Sequence, residues 1–431
     1  MVSQSFQIRR VAVVGSGTMG GGIAALLAGV GIPVMLLDIT PSELTEKEAK
    51  IGLTLEASEV RNRIVRENML QLKNARPPAF YSRADEELIS PGNLDDDFDK
   101  LAEADWVIEA IVENLETKHA FFERLDAIRP EGQIVSSNTS GILIGELAAG
   151  RSADFRRCFL GTHFFNPPRY LRLLEIIPTA DTEPALVHFF REFGARRLGK
   201  GVVLCRDTPN FIANRVGGAN SGYRMSYGIK NGYTIEEVDT IAGSLMGYPK
   251  TAVFRLIDLV GLDVASLVTA NSEIALPGDG AGRSASGKSG EVMDSMLERG
   301  WLGNKTNIGF YKRVGTTQGG KEFWPLDLDK MEHIPPSKVR FDSIAAVRDI
   351  GNLGERLRAW VRQEDRAAEY VWHTLAFLFE YASQCVLEIA DELIAVDDAM
   401  RWGYMMAAGP FEYWDMLGVS ETAVRMAEDG Y

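Results

Sequence analysis

Residues 11–38 read VAVVGSGTMGGGIAALLAGVGIPVMLLD, and few stretches of this length leave a chain so little choice. An apolar strand, VAVV, runs into a turn carrying Gly15, Gly17 and Gly20. A helix of small apolar residues follows, and then a second strand ending in Asp38. Strand, helix and strand in this order open a parallel sheet. The three glycines answer three physical demands. Gly15 allows the tight turn, Gly17 lets the backbone approach a pyrophosphate closely, and Gly20 lets helix pack closely on strand. The helix N-terminus, with Thr18 and Met19 in its first turn, faces the anion. Asp38, eighteen residues after Gly20, is placed to accept hydrogen bonds from both ribose hydroxyls, and it would repel a 2′-phosphate. NAD is therefore the expected cofactor rather than NADP. A glycine turn without a nucleotide is the bland alternative. A flavin uses the same turn, but nothing else in the chain points to one.

With 431 residues the chain exceeds what one core usually organises. Strand patterns continue at 106–112 (WVIEAIV), 133–138 (QIVSSN), 159–164 (FLGTHF), 173–178 (LLEIIP) and 201–205 (GVVLC). After Asp207 helical patterns take over. The fold class expected is an α/β Rossmann-type dinucleotide-binding domain followed by all-α domains with a tandem helical repeat. Charged residues 42–71 read as one long helix or two, and 278–290, GDGAGRSASGKSG, as a mobile loop. The repeat is faint: 238–262 and 396–419 share Val-Asp near the start and Asp-x-x-Gly near the end, with Asp-to-Asp separations of 19 and 18. The domains expected are 1–206 (nucleotide-binding), 207–314 (first helical domain), 315–363 (linker) and 364–431 (second helical repeat).

Composition excludes more than it assigns. The 46 basic and 60 acidic residues leave a charge of -14, which disfavours nucleic acid and anionic membranes as partners. No apolar run is long enough for a membrane span. Three scattered cysteines make neither a disulfide framework nor a Cys-based metal site, so no metal is expected. The N-terminus lacks the pattern of a signal peptide, and a cytoplasmic location is expected.

The chain has five histidines, and one stands apart. His163, in GTHFFNPPRYLRLLEIIP, ends a predicted strand, where open α/β sheets bind ligands. Oxidising an alcohol requires a group that takes the hydroxyl proton as hydride leaves, and histidine suits that work. Glu175 follows twelve residues later, flanked by apolar neighbours in LLEII. A buried acid is costly without a partner, and a bond to His163 would fix the imidazole tautomer and stabilise the imidazolium. A satisfied core histidine is the competing reading. SSNTSG (136–141) and NFIANR (210–215) offer hydroxyls and amides nearby, or ordinary helix caps.

GSGTMG, ADWVIEAIVENLETK, SSNTSG, THFFNP, DTPNFIANR and GWLGNKTNIGFYK, in one collinear order across nearly the whole chain, resemble the 3-hydroxyacyl-CoA dehydrogenase family of fatty-acid β-oxidation. More closely, they resemble the N-terminal part of bacterial proteins that fuse this dehydrogenase to an enoyl-CoA hydratase. The resemblance implies hydride transfer from C3 of an L-3-hydroxyacyl-CoA to NAD, with His163 as base and Glu175 as its partner. Ser140 and Asn214 would hydrogen-bond the substrate, Glu113 and Lys118 would line the nicotinamide side, and the helical segments would form the second wall of the acyl-CoA cleft. It also accounts for the helical repeat.

Three departures stand out. Asn210 replaces the Gly of DTPGF found in many relatives. The first repeat reads YPKTAVFR where relatives often have GPFE, which the second keeps as Gly409, Pro410, Phe411 and Glu412. The charged region 42–71 does not align with the family's CoA-contacting helix, so no CoA contact is transferred. No crotonase pattern follows, and hydratase activity is expected to be absent. Single-repeat relatives pair through the helical domain, so a tandem repeat predicts a monomer or weak homodimer. The rivals are an NAD-dependent dehydrogenase of sugar acids, which usually relies on lysine or cysteine, and a nucleotide-binding scaffold, crystallin-like, without turnover.

Overall fold

The computed structural model describes residues 6–276, 287–315 and 320–431. The chain divides into two compact units, the first ending at Phe211 and the second running from Ile212 to Tyr431.

The first unit is built on an eight-stranded sheet. Its strands are β1 (Val11–Val14), β2 (Val34–Asp38), β3 (Ile89–Asn93), β4 (Trp106–Glu109), β5 (Ile134–Ser137), β6 (Phe159–Phe164), β7 (Leu173–Pro178) and β8 (Gly201–Leu204), in the order β3-β2-β1-β4-β5-β6-β7-β8. Every residue of β1, β4, β5 and β6 is buried, as expected of strands covered on both faces. Between them run α1 (Thr18–Gly29), α2 (Glu46–Lys50), α3 (Ser58–Arg61), α4 (Arg63–Lys73), α5 (Leu115–Ile128), α6 (Ile144–Ala148), α7 (Ala153–Arg157) and α8 (Pro184–Arg196). Val13, Ile23, Leu36, Trp106, Leu160 and Phe190 share the core. The charged stretch 42–71 forms three short helices, α2 to α4, rather than one or two. They bury only Val60 and Val65.

All neighbouring strands run parallel except β6 and β7, which pair antiparallel. Only residues 165–172 separate them, too few for the crossover that a parallel pair requires. The reversal sets His163 directly opposite Glu175 in the ladder.

The second unit is mainly helical: α9 (Ala213–Lys230), α10 (Ile235–Ile241), α11 (Phe254–Val260), α12 (Leu262–Ala275), α13 (Lys288–Glu298), α14 (Asp342–Val347), α15 (Leu353–Trp360), α16 (Arg366–Ile389), α17 (Leu393–Gly403), α18 (Pro410–Leu417) and α19 (Val419–Asp429). It also holds a small antiparallel sheet of β9 (Tyr311–Gly315), β10 (Lys321–Asp327) and β11 (Glu332–His333), with β10 central. Residues 315–363, expected as a linker, thus contain β10, β11, α14 and α15. Of the segment expected as a mobile loop, residues 278–286 lie outside the described ones, and Lys288 to Gly290 already belong to α13. Among the described residues no helix is long and apolar enough to cross a membrane.

The two stretches similar in sequence share a local capping pattern. Asp239 on α10 accepts hydrogen bonds from the backbone N–H groups of Val253, Phe254 and Arg255 at 2.9–3.1 Å, capping α11. Asp397 on α17 accepts from Phe411 N–H at 2.8 Å, capping α18. Each capped helix ends at a glycine of positive φ, Gly261 (103°) and Gly418 (90°), and a new helix starts at once. The GPFE departure has a local account. In the second stretch Glu412 accepts from Gly409 N–H at 2.7 Å. The first stretch has Arg255 instead, and Asp239 takes three backbone donors by itself.

Candidate active site

The glycine turn fits an anion by its own geometry. Gly15 has φ 97°, and a Cβ there would collide with Ala110 O. A Cβ on Gly20 would strike Gly15 O. At Gly17 a Cβ would meet nothing within 4 Å, so packing inside the chain does not demand glycine at this position. Gly17 is the N-cap of α1 without a side-chain cap, and the first turn, which starts at Thr18 and Met19, carries no acid. Free N–H groups and an open approach are what a pyrophosphate needs.

Asp38 closes on this turn. Its Oδ2 accepts from Ser16 N–H at 2.7 Å and from the Ser16 hydroxyl at 2.5 Å, while Oδ1 accepts from Ile39 N–H at 2.8 Å. Asn68 of α4 donates to Ser16 Oγ at 2.8 Å. A carboxylate has about four acceptor positions, so the protein's own donors leave fewer than the two ribose hydroxyls expected from sequence would use.

His163, 4% exposed, sits on β6, and Glu175, fully buried, on β7. Nδ1 lies 2.7 Å from Glu175 Oε2. An ionised carboxylate can only accept, so the proton of the neutral ring resides on Nδ1 and the lone pair on Nε2. Ser140 Oγ stands 3.1 Å from that Nε2. Phe165 meets the ring edge-on at a centroid distance of 4.6 Å, and Phe211 lies tilted at 5.5 Å. Asn138 Oδ1 accepts from Phe164 N–H at 2.9 Å, tying the end of β5 to the end of β6.

Ser140 belongs to a turn held by Glu113, whose Oε1 accepts from the Thr139 hydroxyl, from Ser140 N–H and from Gly141 N–H, the last two at 3.1 Å. Glu113 Oε2 is 3.1 Å from Lys118 Nζ. Burial pushes the Glu113 carboxyl up, but the Lys118 charge and the hydrogen bonds from Thr139, Lys118 and Gly141 outweigh it, so it stays below the usual carboxylate range. Asp207, from the DTPNF motif, accepts from Ile144 and Gly145 N–H at 2.7 Å each, and burial raises its carboxyl. Asn210 follows with φ 64° and Phe211 with φ 51°. Among residues with side chains, asparagine adopts this left-handed conformation most readily, which explains how it stands where relatives have glycine.

The first unit therefore brings together His163, Glu175, Ser140, Glu113 and Lys118. Asn214 lies in the second unit, in the first turn of α9, where its Oδ1 accepts from the Tyr404 hydroxyl at 3.4 Å. Sequence reasoning missed one residue of the cluster. Glu109, the last residue of β4, is fully buried and pairs with Lys118 Nζ at 2.6 Å. The signal was an acid inside an apolar run, the same that singled out Glu175. No group of side chains suited to a metal occurs among the described residues.

A Rossmann-type sheet with an open glycine turn, and a histidine–carboxylate pair where the strands end, define a dinucleotide-binding protein of the dehydrogenase type. Residues 10–208 match the family model described as the 3-hydroxyacyl-CoA dehydrogenase NAD binding domain, and residues 211–313 the C-terminal domain of the same family. The chain belongs to the 3-hydroxyacyl-CoA dehydrogenase family. A probable 3-hydroxyacyl-CoA dehydrogenase of Bacillus subtilis is 44% identical over 423 residues, covering 98% of this chain and 53% of the relative. The chain thus spans about half that relative's length. A protein of the same description from Deinococcus radiodurans is 41% identical over 72% of this chain and 84% of its own. The crystal structure of 3-hydroxybutyryl-CoA dehydrogenase from Escherichia coli K12 superposes with a TM-score of 0.65 over 98% of this chain and 94% of that one. At 23% identity it speaks for the fold alone.

Proposed function

We propose that this chain oxidises the C3 hydroxyl of an L-3-hydroxyacyl-CoA to the 3-ketone, the dehydrogenation step of fatty-acid β-oxidation. The observation that carries the reading is the line Glu175, His163, Ser140, with 2.7 Å and 3.1 Å between successive polar atoms, in the unit that carries the NAD-binding turn. NAD, when bound, supplies the acceptor for the C3 hydride. Gly15, Gly17, Thr18, Met19 and Gly20 would hold its pyrophosphate, Asp38 its ribose, and Glu113 and Lys118 would line its nicotinamide side.

His163 takes the hydroxyl proton on Nε2, the nitrogen that Glu175 leaves unprotonated by claiming Nδ1–H. Glu175 then stabilises the imidazolium. Ser140 donates to the substrate oxygen as charge develops there, and the Asn214 amide is a second donor. A cytoplasmic location and a monomer or weak homodimer belong to the same reading.

The test is reduction of acetoacetyl-CoA, followed through NADH absorbance, by wild type and His163→Ala. Wild type should turn over, and the variant should lose a factor of about one hundred or more in kcat with NADH affinity retained. A folded, NADH-binding wild type that reduces neither this nor longer 3-ketoacyl-CoA substrates would sink the proposal.

A further inference from the structure

Glu109 takes no part in the steps above, yet it is as enclosed as Glu175, with both side chains fully buried. Burying a carboxylate costs several kcal/mol unless partners replace its water. Glu109 has a full set. Oε1 accepts from Lys118 Nζ at 2.6 Å and from Ile111 N–H at 2.8 Å, and Oε2 accepts from the Ser137 hydroxyl at 2.5 Å.

From these partners two paths lead to the same turn. Ser137 Oγ accepts from Thr139 N–H at 3.1 Å. Lys118, itself 1% exposed, passes the connection to Glu113, which holds the N–H groups of Ser140 and Gly141. Both paths end on the residues that place Ser140 Oγ against His163 Nε2. A buried ion pair is weak support for stability, since apolar replacements often serve as well. Here, moreover, two carboxylates share one ammonium, an arrangement that packing alone does not require.

We infer that Glu109 is a positioning residue: through Ser137, and through Lys118 and Glu113, it fixes the turn that holds Ser140 on His163. The inference rests on the proposed role of Ser140 and His163. Glutamine at position 109 keeps the size, but its amide nitrogen cannot accept from Ser137, and Lys118 loses one of its two counter-charges. A displacement of Ser140 by about 1 Å is enough to lower the rate strongly.

The experiment is a double-mutant cycle of Glu109→Gln and Ser140→Ala on the full chain, with kcat, KM for acetoacetyl-CoA and NADH affinity measured for each protein. Alone, Glu109→Gln should lower kcat by about tenfold or more and leave KM and NADH affinity within about threefold. In the Ser140→Ala background it should cost less than about threefold, because the residue it acts through is gone. Equal losses in both backgrounds, or a loss confined to NADH affinity, would overturn the inference. If Ser140→Ala is costly and Glu109→Gln is not, only the inference falls; if Ser140→Ala costs nothing, the proposed role of Ser140 falls with it. Should Glu109→Gln not fold, Ser137→Ala removes one path alone. It should lower kcat by a smaller factor that disappears in the Ser140→Ala background, and a factor that persists there overturns the inference.

Discussion

Asn210 and Phe211 hold adjacent left-handed conformations, with φ of 64° and 51°, and Phe211 is buried against the His163 ring. A β-branched residue at 210 would meet steric cost that glycine avoids. Asn210→Val should therefore be less stable than Asn210→Gly by about 1–2 kcal/mol, measured by denaturant unfolding. Equal stabilities would mean that the turn relaxes out of this conformation. At this scale sequence reading reached the glycines and His163, because their residue types answer directly to a local demand. It did not reach Glu109, whose partners come from β5 and α5 and whose meaning exists only once those elements are in register.

Among the elements, the junction of α11 with β9 rests on one acid. Asp258, 3% exposed, accepts from Phe310 and Tyr311 N–H at 2.8 Å each. Burial raises its carboxyl to about 6, against the pull of those two hydrogen bonds. The folded-state value lies above the unfolded one, so the protonated form contributes stability that is complete below about 4 and lost as pH rises through about 6. Asp258→Asn cannot ionise. Its stability relative to wild type should climb between about pH 4 and pH 7, by something on the order of 3 kcal/mol. Thermal melts across that range check this, and a difference that stays flat with pH would refute it. Legibility was uneven here too. β3, sequence ISPGN, is not among the expected strands, since Pro-Gly interrupts any strand pattern there, yet it is an edge strand, where Pro91 is tolerated. The direction of β7 follows from the length of a loop rather than from any pattern inside the strand. β10 has a proline and an exposed first half, and it shows little of the alternation that would mark it as a strand.

At the scale of the whole molecule, the family model stops at residue 313 while the helical unit continues to Tyr431. The later helices cover α9 closely. Tyr223 stacks on Phe377 at 3.9 Å, Arg215 donates to the Tyr381 hydroxyl at 2.8 Å, and the Tyr370 hydroxyl donates to Arg224 O at 2.9 Å. These contacts support the monomer reading, since α16 meets a face of α9 within the same chain. Sedimentation equilibrium should return a mass near 47.5 kDa at micromolar concentration, with at most weak association. A tight dimer across the range would remove that reading. The likeness of the two helical stretches was faintly legible because the capping aspartates and the glycines after their helices recur at nearly equal spacing, and both have fixed backbone roles.

The antiparallel ladder between β6 and β7 has one further consequence. His163 and Glu175 face each other because the main chain sets them there, so their encounter was settled during folding and costs no search by side chains at turnover. Such a pair tolerates change in the loop that joins the strands but not a slip of one strand past the other. Strand side chains alternate between faces, and a one-residue shift would carry the carboxylate through the sheet to the side opposite the imidazole. Insertion or deletion within these two strands is therefore a class of genetic change that the pair cannot absorb.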